Sequence, residues 1–290
     1  MCGIAGMLYD RHARAHLDWN AFAAVLEAFR ATPLDATDQA PFSELMRRFE
    51  AFSDDLREFS TYEELRTQPA RRDLLAAGGH DIAAWERASH EAVLAAGVST
   101  EQLEQWNAVW LRARDIAWQL ERDVLASLLQ VEALLPPATE APKAHFEAWK
   151  LAAILENIGR LEVRGRDSLG LSIVCTFSSL TAYEAFGRDL ETRGLGDAWR
   201  ARLAIADFVD SAIVTDEAAP TPSVGFTFKV AQEVGALGDN VARLTETIRA
   251  DALFWRACGD ASSETSVFSH TRWASNGIIS EPNCHPVNSE

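Results

Sequence analysis

Cys2 follows the initiator methionine in the opening MCGIAG, so removal of Met1 leaves one residue carrying a thiol nucleophile and a free α-amine. Peptide α-amines titrate near about 7.7–8.0 and thiols near about 8.5, so part of such an amine is unprotonated at neutral pH and can act as a base. A nucleophile that brings its own base can run acyl transfer without a separate histidine. Read alone, Met-Cys is better described as a small buried residue after the start codon. Two distant stretches belong with it. One is Arg164-Gly165-Arg166-Asp167-Ser168-Leu169-Gly170, where glycines around charged residues mark a tight turn. By itself it would pass for a surface loop with a local Arg–Asp pair. The other runs from Ser269 through His270, Thr271, Arg272, Trp273, Ala274, Ser275 and Asn276 to Gly277, followed by Asn283, His285 and Pro286. Arg272 beside hydroxyl and backbone donors can hold a carboxylate in a forked pair, although the stretch also fits a strand with one surface arginine. A thiol with a carboxylate anchor suggests an amino-acid substrate attacked on its side chain.

Composition narrows the classes. A chain of 290 residues with 48% hydrophobic content can bury a full core in one or two domains. Its net charge of -16 and lack of a basic run exclude a phosphate-reading nucleic-acid binder. No stretch approaches the ~20 apolar residues of a membrane span, and the start lacks a signal-peptide pattern. The expected location is cytoplasmic. Cys2, Cys175, Cys258 and Cys284 form no CxxC pair and read as free thiols of a reducing compartment.

Several elements must position these residues. Ile4 to Tyr9 is a short apolar run that predicts a buried strand with Cys2 at its leading end. From Arg11 to about Pro142 the periodicity is helical. Phe22, Val25, Leu26 and Phe29 follow a capping Asp18, and Leu45, Phe49, Phe52, Leu56 and Phe59 follow a capping Ser43. Ser99 and Gln102 stand in capping-box positions ahead of Leu103, Trp106, Trp110, Ile116, Leu120, Val124, Leu128 and Val131, as one long helix or two. Thr32 to Pro41 and Ala76 to His80 read as connecting loops. His145 to Leu161 predicts a further helix with an apolar stripe at Leu151, Ile154, Leu155, Ile158 and Leu161. Leu171 to Phe177 predicts a buried strand, and Val224, Phe226, Phe228 and Val230 alternate as a second. Asp239 or Asn240 then caps a helix to about Arg249.

Two other features of the helical region admit a functional reading. His12 and His16 stand four apart, as zinc ligands on one helix face would, but no acidic HExxH context accompanies them. Trp106, Trp110 and Trp118 could line a ligand site, yet their placement among leucines is what helix packing requires.

MCGIAG, RLEVRGRDSLGL and TRWASNG with the downstream N-C-H-P together resemble the glutaminase domain of class II glutamine amidotransferases, which use an N-terminal nucleophile. The form most resembled is glutamine:fructose-6-phosphate aminotransferase (isomerizing), because TRWA followed by NxHP is more particular to it than to the phosphoribosylamine- or asparagine-forming relatives. The resemblance implies that Cys2 is catalytic and forms a glutamyl thioester. It implies that Arg272, Ser275, Asn276 and Gly277 bind substrate, with Arg272 on the α-carboxylate and Arg164, Gly165 and Trp273 in support. Ser275 stands where the family usually has threonine, and Asn276 replaces its usual histidine. Glutamine is the implied substrate and a phosphosugar the implied ammonia acceptor. No metal or organic cofactor is implied, and a homo-oligomer is left open.

The implied fold is α+β, a partial N-terminal-nucleophile hydrolase sandwich (αββα). Its glutaminase core comprises residues 1–10 and 143–290, and a large helical insertion occupies residues 11–142, where the family pattern has no counterpart. The family continues past the position of Glu290 into an Asn-Gly oxyanion pair, an Asp for the α-amine and sugar-isomerase domains, so the chain is expected to be incomplete at its C-terminus and poorly active alone. Its C-terminal edge is expected to leave Val267 and Trp273 incompletely covered. The competing expectation, from a different class, is a non-catalytic helical interaction module on a degenerate glutaminase fold.

Overall fold

The computed structural model describes residues 3–6, 16–137, 139–165, 167–205, 208–218, 220–231, 236–272 and 278–287. The chain divides into two compact units, a helical one, Asp10–Leu129, and a sheet unit, Met1–Tyr9 with Gln130–Glu290. The sheet unit is mixed α+β.

The helical unit holds α1 (Trp19–Ala31), α2 (Ala40–Glu50), α3 (Ser53–Leu56), α4 (Phe59–Thr67), α5 (Pro69–Ala96) and α6 (Thr100–Trp118). A π-helical segment, Gln119–Leu125, then leads into α7 (Ala126–Leu134), within which the chain passes to the sheet unit. The expected caps of α1 and α6 are present. Asp18 accepts from the amides of Asn20 and Ala21, and Ser99 and Gln102 form the reciprocal capping box.

Three expectations are corrected here. Ser43 caps nothing, because α2 begins at Ala40 with Pro41 in its first turn, a position where a missing N–H costs nothing. The single helix expected to Phe59 is broken into α2, α3 and α4. Gln119 donates to the freed carbonyl of Ser53 at 2.8 Å, and the Thr61 hydroxyl donates to that of Asp55 at 2.6 Å. Those tertiary bonds stabilise the break and let Phe52 turn edge-on to Phe22, 5.5 Å away. Ala76 to His80 is not a loop but the middle of α5. A Cβ on Gly78 would stand 3.5 Å from Leu26, and one on Gly79 would stand 3.0 Å from Glu121. The glycine pair therefore serves close helix approach.

Trp106 and Trp110 are buried, and their indoles donate to the Ala36 carbonyl and the Ser89 hydroxyl, both at 2.9 Å. They pack the core. Trp118 does not join them and is 57% exposed.

The sheet unit contains β1 (Gly3–Gly6), α8 (Pro142–Leu161), a 3-10 turn (Glu162–Arg164), β2 (Ser168–Phe177), α9 (Leu180–Thr192) and α10 (Gly196–Leu203). There follow β3 (Ile213–Asp216), β4 (Ser223–Ala231), α11 (Asp239–Ala250), α12 (Ala252–Cys258), β5 (Ser263–Arg272) and a 3-10 turn (Glu281–Asn283). The strands form one antiparallel sheet in the order β1-β5-β2-β4-β3. Leu169, Leu171, Ile173 and Cys175 on β2 lie opposite Val230, Phe228, Phe226 and Val224 on β4, and all eight are buried on one face.

The helices pack on that face. Phe254 of α12 meets Phe226 and Phe228 edge-on, and Phe186 of α9 meets Phe177. Helix α8 is tied to β5 by charge. Lys150 lies 2.6 Å from Glu147 and 2.5 Å from the Thr265 hydroxyl, which itself donates to Glu147. Lys143 donates to the Ser263 carbonyl. Burial of Glu147 is tolerated because both lysines offset its charge.

The opposite face of the sheet carries Ile4, Phe268 and Val214, which are 75%, 62% and 43% exposed. This corrects the coverage expected at the C-terminal edge. Val267 is buried on the helix side, and the exposed side chain is its neighbour Phe268, since adjacent strand residues face opposite ways. Trp273 lies outside the described residues.

Strand β2 starts at Ser168, three residues ahead of its expected start, so Gly170 is in the sheet and not in a turn. Helix α11 is preceded by Gly238 at φ 95°, a left-handed conformation that glycine adopts without strain, and neither Asp239 nor Asn240 is its cap.

Candidate functional site

The three stretches singled out in the sequence converge at one end of the sheet. Strand β5 lies between β1 and β2, pairing Gly3 with Thr271 on one side and Ser168 with Arg272 on the other. The Gly3 amide donates to the Thr271 hydroxyl at 3.1 Å, and the Asp167 amide to the Arg272 carbonyl at 3.1 Å. A Cβ on Gly3 would come within 2.8 Å of Leu161 and 2.9 Å of Thr271, so the close stacking of β1 on the end of α8 requires glycine. A cleft of about 580 Å³ opens beside β1, bordered by Ile4, Ala5, Ala153, Ile154, Asn157 and Leu161.

Of the predicted site residues, Cys2, Trp273, Ser275, Asn276 and Gly277 lie outside the described residues. Arg164 ends the 3-10 turn, and Gly165 closes it by donating to the Glu162 carbonyl at 3.1 Å. Gly165 is buried, and its φ of -168° is one that any residue adopts, so no left-handed turn requires a glycine there. Arg272 ends β5 and donates from Nη1 to the Asn283 carbonyl at 2.6 Å. That contact ties the last β5 residue to the segment 278–287, which returns across the uncovered sheet face.

Sequence reasoning missed the centre of this return. Gly170 pairs with Lys229 on one side and His270 on the other, placing the three in one row across the sheet. The strap Cys284–His285 lies over the glycine. A Cβ there would fall 1.8 Å from the His285 carbonyl oxygen and 3.2 Å from the Cys284 sulfur. The rings of His270 and His285 are 4.5 Å apart. Burial lowers the pKa of His270, helped by His285 and Arg272. Burial likewise lowers that of Lys229, against the attraction of Cys284, Asp210 and Glu281. The Cys284 thiol is raised by burial, and its bond to Ser168 works against that rise. The available signal was the glycine inside an apolar strand, which marks a close backbone approach.

Glu162 was also missed. It is buried and accepts from the Gly238 amide at 2.6 Å, anchoring the start of α11 to the turn that carries Arg164. Desolvation raises its carboxyl above the ordinary range. Cys175, Cys258 and Cys284 are free and buried, and burial pushes each thiol up, away from nucleophilic character.

No group of three or more potential metal ligands occurs among the described residues. His16 precedes α1 and lies 3.8 Å from Glu64, so helical spacing does not apply to it, and His12 is outside the described residues. Among the described residues no helix is long and apolar enough to cross a membrane. Comparison with protein-family models, curated proteins and solved structures gives no match.

Proposed function

We propose that the chain is the glutamine-hydrolysing part of a class II glutamine amidotransferase. The observation that carries this reading is the strand order. It brings the stretch after Cys2, the RGRDS stretch and Arg272 to one sheet end, from positions as much as 268 residues apart. In the proposed reaction the Cys2 thiol, deprotonated by its own α-amine, attacks the side-chain amide carbon of glutamine. Ammonia leaves as the thioester forms, and water then cleaves the thioester to release glutamate. Arg272 holds the α-carboxylate, with Ser275, Asn276 and Gly277 around it and Trp273, Arg164 and Gly165 in support. The ammonia passes to a phosphosugar acceptor, with fructose 6-phosphate as the favoured one.

The burial of the other described thiols supports assigning the nucleophile to Cys2. The sheet face bearing Ile4 and Phe268 is the one that a second sheet of an αββα sandwich would cover.

The test is labelling of the full-length protein with a glutamine-like diazoketone followed by peptide mass spectrometry. The label is expected on Cys2 alone, at an N-terminus from which Met1 has been removed, and Cys2→Ala should abolish glutamate release. Retention of Met1, or a label on Cys175, Cys258 or Cys284, would overturn the mechanism.

A further inference from the structure

The buried face of α6 carries Trp106, Val109, Trp110, Ala113 and Ile116. Its outward face would be expected to be polar, yet Leu111 is 59% and Trp118 is 57% exposed. Positions i and i+7 fall within ~20° of one meridian and about 10.5 Å apart along the axis. Arg114 and Asp115 lie between them along the axis, one to either side of this stripe, and Arg114 is engaged by Glu86, which leaves Asp115 as the acidic side chain between the two apolar ones. A cavity of about 290 Å³ opens beside Trp118, bordered by Asp115, Glu50, Asp123, Arg57 and Gln119. Its floor is fixed. Gln119 is buried, accepts from the Ser53 hydroxyl at 3.1 Å and donates to the Ser53 carbonyl at 2.8 Å. The π-helical segment that starts at Gln119 also brings Asp123 to 3.3 Å from Arg57.

Charge identifies the occupant. Arg57 is paired with Asp123, Arg112 with Glu50 at 3.5 Å, and Arg114 with Glu86 at 3.2 Å. Asp115 has no side-chain hydrogen bond or ion pair among the described residues, and neither has Arg122, which is exposed on the turn beyond Trp118, so an unpaired carboxylate lies between the two apolar side chains and an unpaired guanidinium lies past the second. A net charge of -16 repels anionic membranes and nucleic acids and draws in cations. We propose that a basic amphipathic helix of a partner protein docks along α6, with apolar side chains one heptad apart against Leu111 and Trp118 and an intervening lysine or arginine at Asp115. The mode is helix-on-helix recognition with its anchors at helical spacing. It stands independently of the glutaminase reading.

The test uses the full chain and a fluorescein-labelled 18-residue peptide of leucine and lysine in amphipathic order, with a scrambled peptide of the same composition, read by anisotropy. Binding of the ordered peptide should weaken at least tenfold with Trp118→Gln, Leu111→Gln or Asp115→Lys. It should change less than twofold with Glu246→Lys, an exposed position on α11 that makes the same change in charge. Circular dichroism confirms the fold of each variant, and these positions are exposed, so folding is not at stake. Equal binding of the scrambled peptide, equal effects of Asp115→Lys and Glu246→Lys, or no measurable binding would each overturn the proposal. So would dependence on Asp115 without dependence on Leu111 and Trp118, which would indicate a small ammonium ligand.

Discussion

Gly170→Ala is a one-carbon change with a large expected effect, because the site it enters is already filled by backbone. The added methyl would fall 1.8 Å from the His285 oxygen, 2.9 Å from its carbonyl carbon and 3.2 Å from the Cys284 sulfur. Carbon contacts are comfortable near 3.5–4.0 Å, so the strap must retreat by roughly 1.5–2 Å. Overpacking of this kind costs about 1–3 kcal/mol. Retreat also separates His285 from His270 and pulls Asn283 from Arg272, whose bond to it is 2.6 Å. We expect a loss of about 2 kcal/mol in urea unfolding followed by a sheet-unit probe. A second readout locates the change. In a Cys2→Ser background the three remaining thiols are buried, so a disulfide reagent should label none of them in native buffer. Gly170→Ala should expose Cys284 alone, identified by peptide mass. A loss below about 0.5 kcal/mol, the range of an inconsequential surface change, with Cys284 still protected would refute the placement of the strap on Gly170.

Val267 and Phe268 form a paired test of which sheet face is covered. Val267→Ala should cost about 1.6–2.5 kcal/mol, from ~0.8 kcal/mol per buried methylene plus the cavity left behind, whereas Phe268→Ser should change stability by less than about 0.5 kcal/mol. The reverse order, measured by thermal unfolding, would place the helices on the other face. Lys229 is 3% exposed with its pKa lowered by burial, so in the window between that lowered value and its ordinary 10.5 the unfolded chain binds more protons and stability rises with pH. Lys229→Met should be more stable than the parent at neutral pH and should show less of this rise as the pH approaches 10.5; an unchanged slope in urea midpoints would show that the ammonium is not desolvated.

Local signals were legible where local chemistry decides. Asp18 and Ser99 each satisfy amides within three residues, so their caps follow from sequence alone. Alternation at Val224, Phe226, Phe228 and Val230 gave β4, because one buried face sets a period of two. Misreadings occurred where a distant residue decides. Gly78 and Gly79 resemble a loop until Leu26 and Glu121 are brought against them, and the break after α2 depends on Gln119, some 66 residues from Ser53. Gly170 resembled a turn because its real neighbour, the His285 carbonyl, lies far along the chain. At the candidate site the motifs gave the convergence of β1, β2 and β5. The row of Lys229, Gly170 and His270 stayed hidden because it exists only through strand register.

The pairing of Gly3 with Thr271 also has a meaning in time. The first strand leaves the ribosome 268 residues before the partner that completes it. At synthesis rates of about 5–20 residues per second, β1 waits on the order of tens of seconds with no sheet to join. The helical unit, built from neighbours close in sequence, has all its residues available well before then, and local topology folds fast. The nascent chain therefore acquires a folded middle while β1 is still unpaired, and β5 is the strand whose arrival gives β1 its partner. For that interval Ile4 and the unpaired backbone of β1 are open to whatever binds nascent strands, so chaperone dependence should concentrate at the N-terminus.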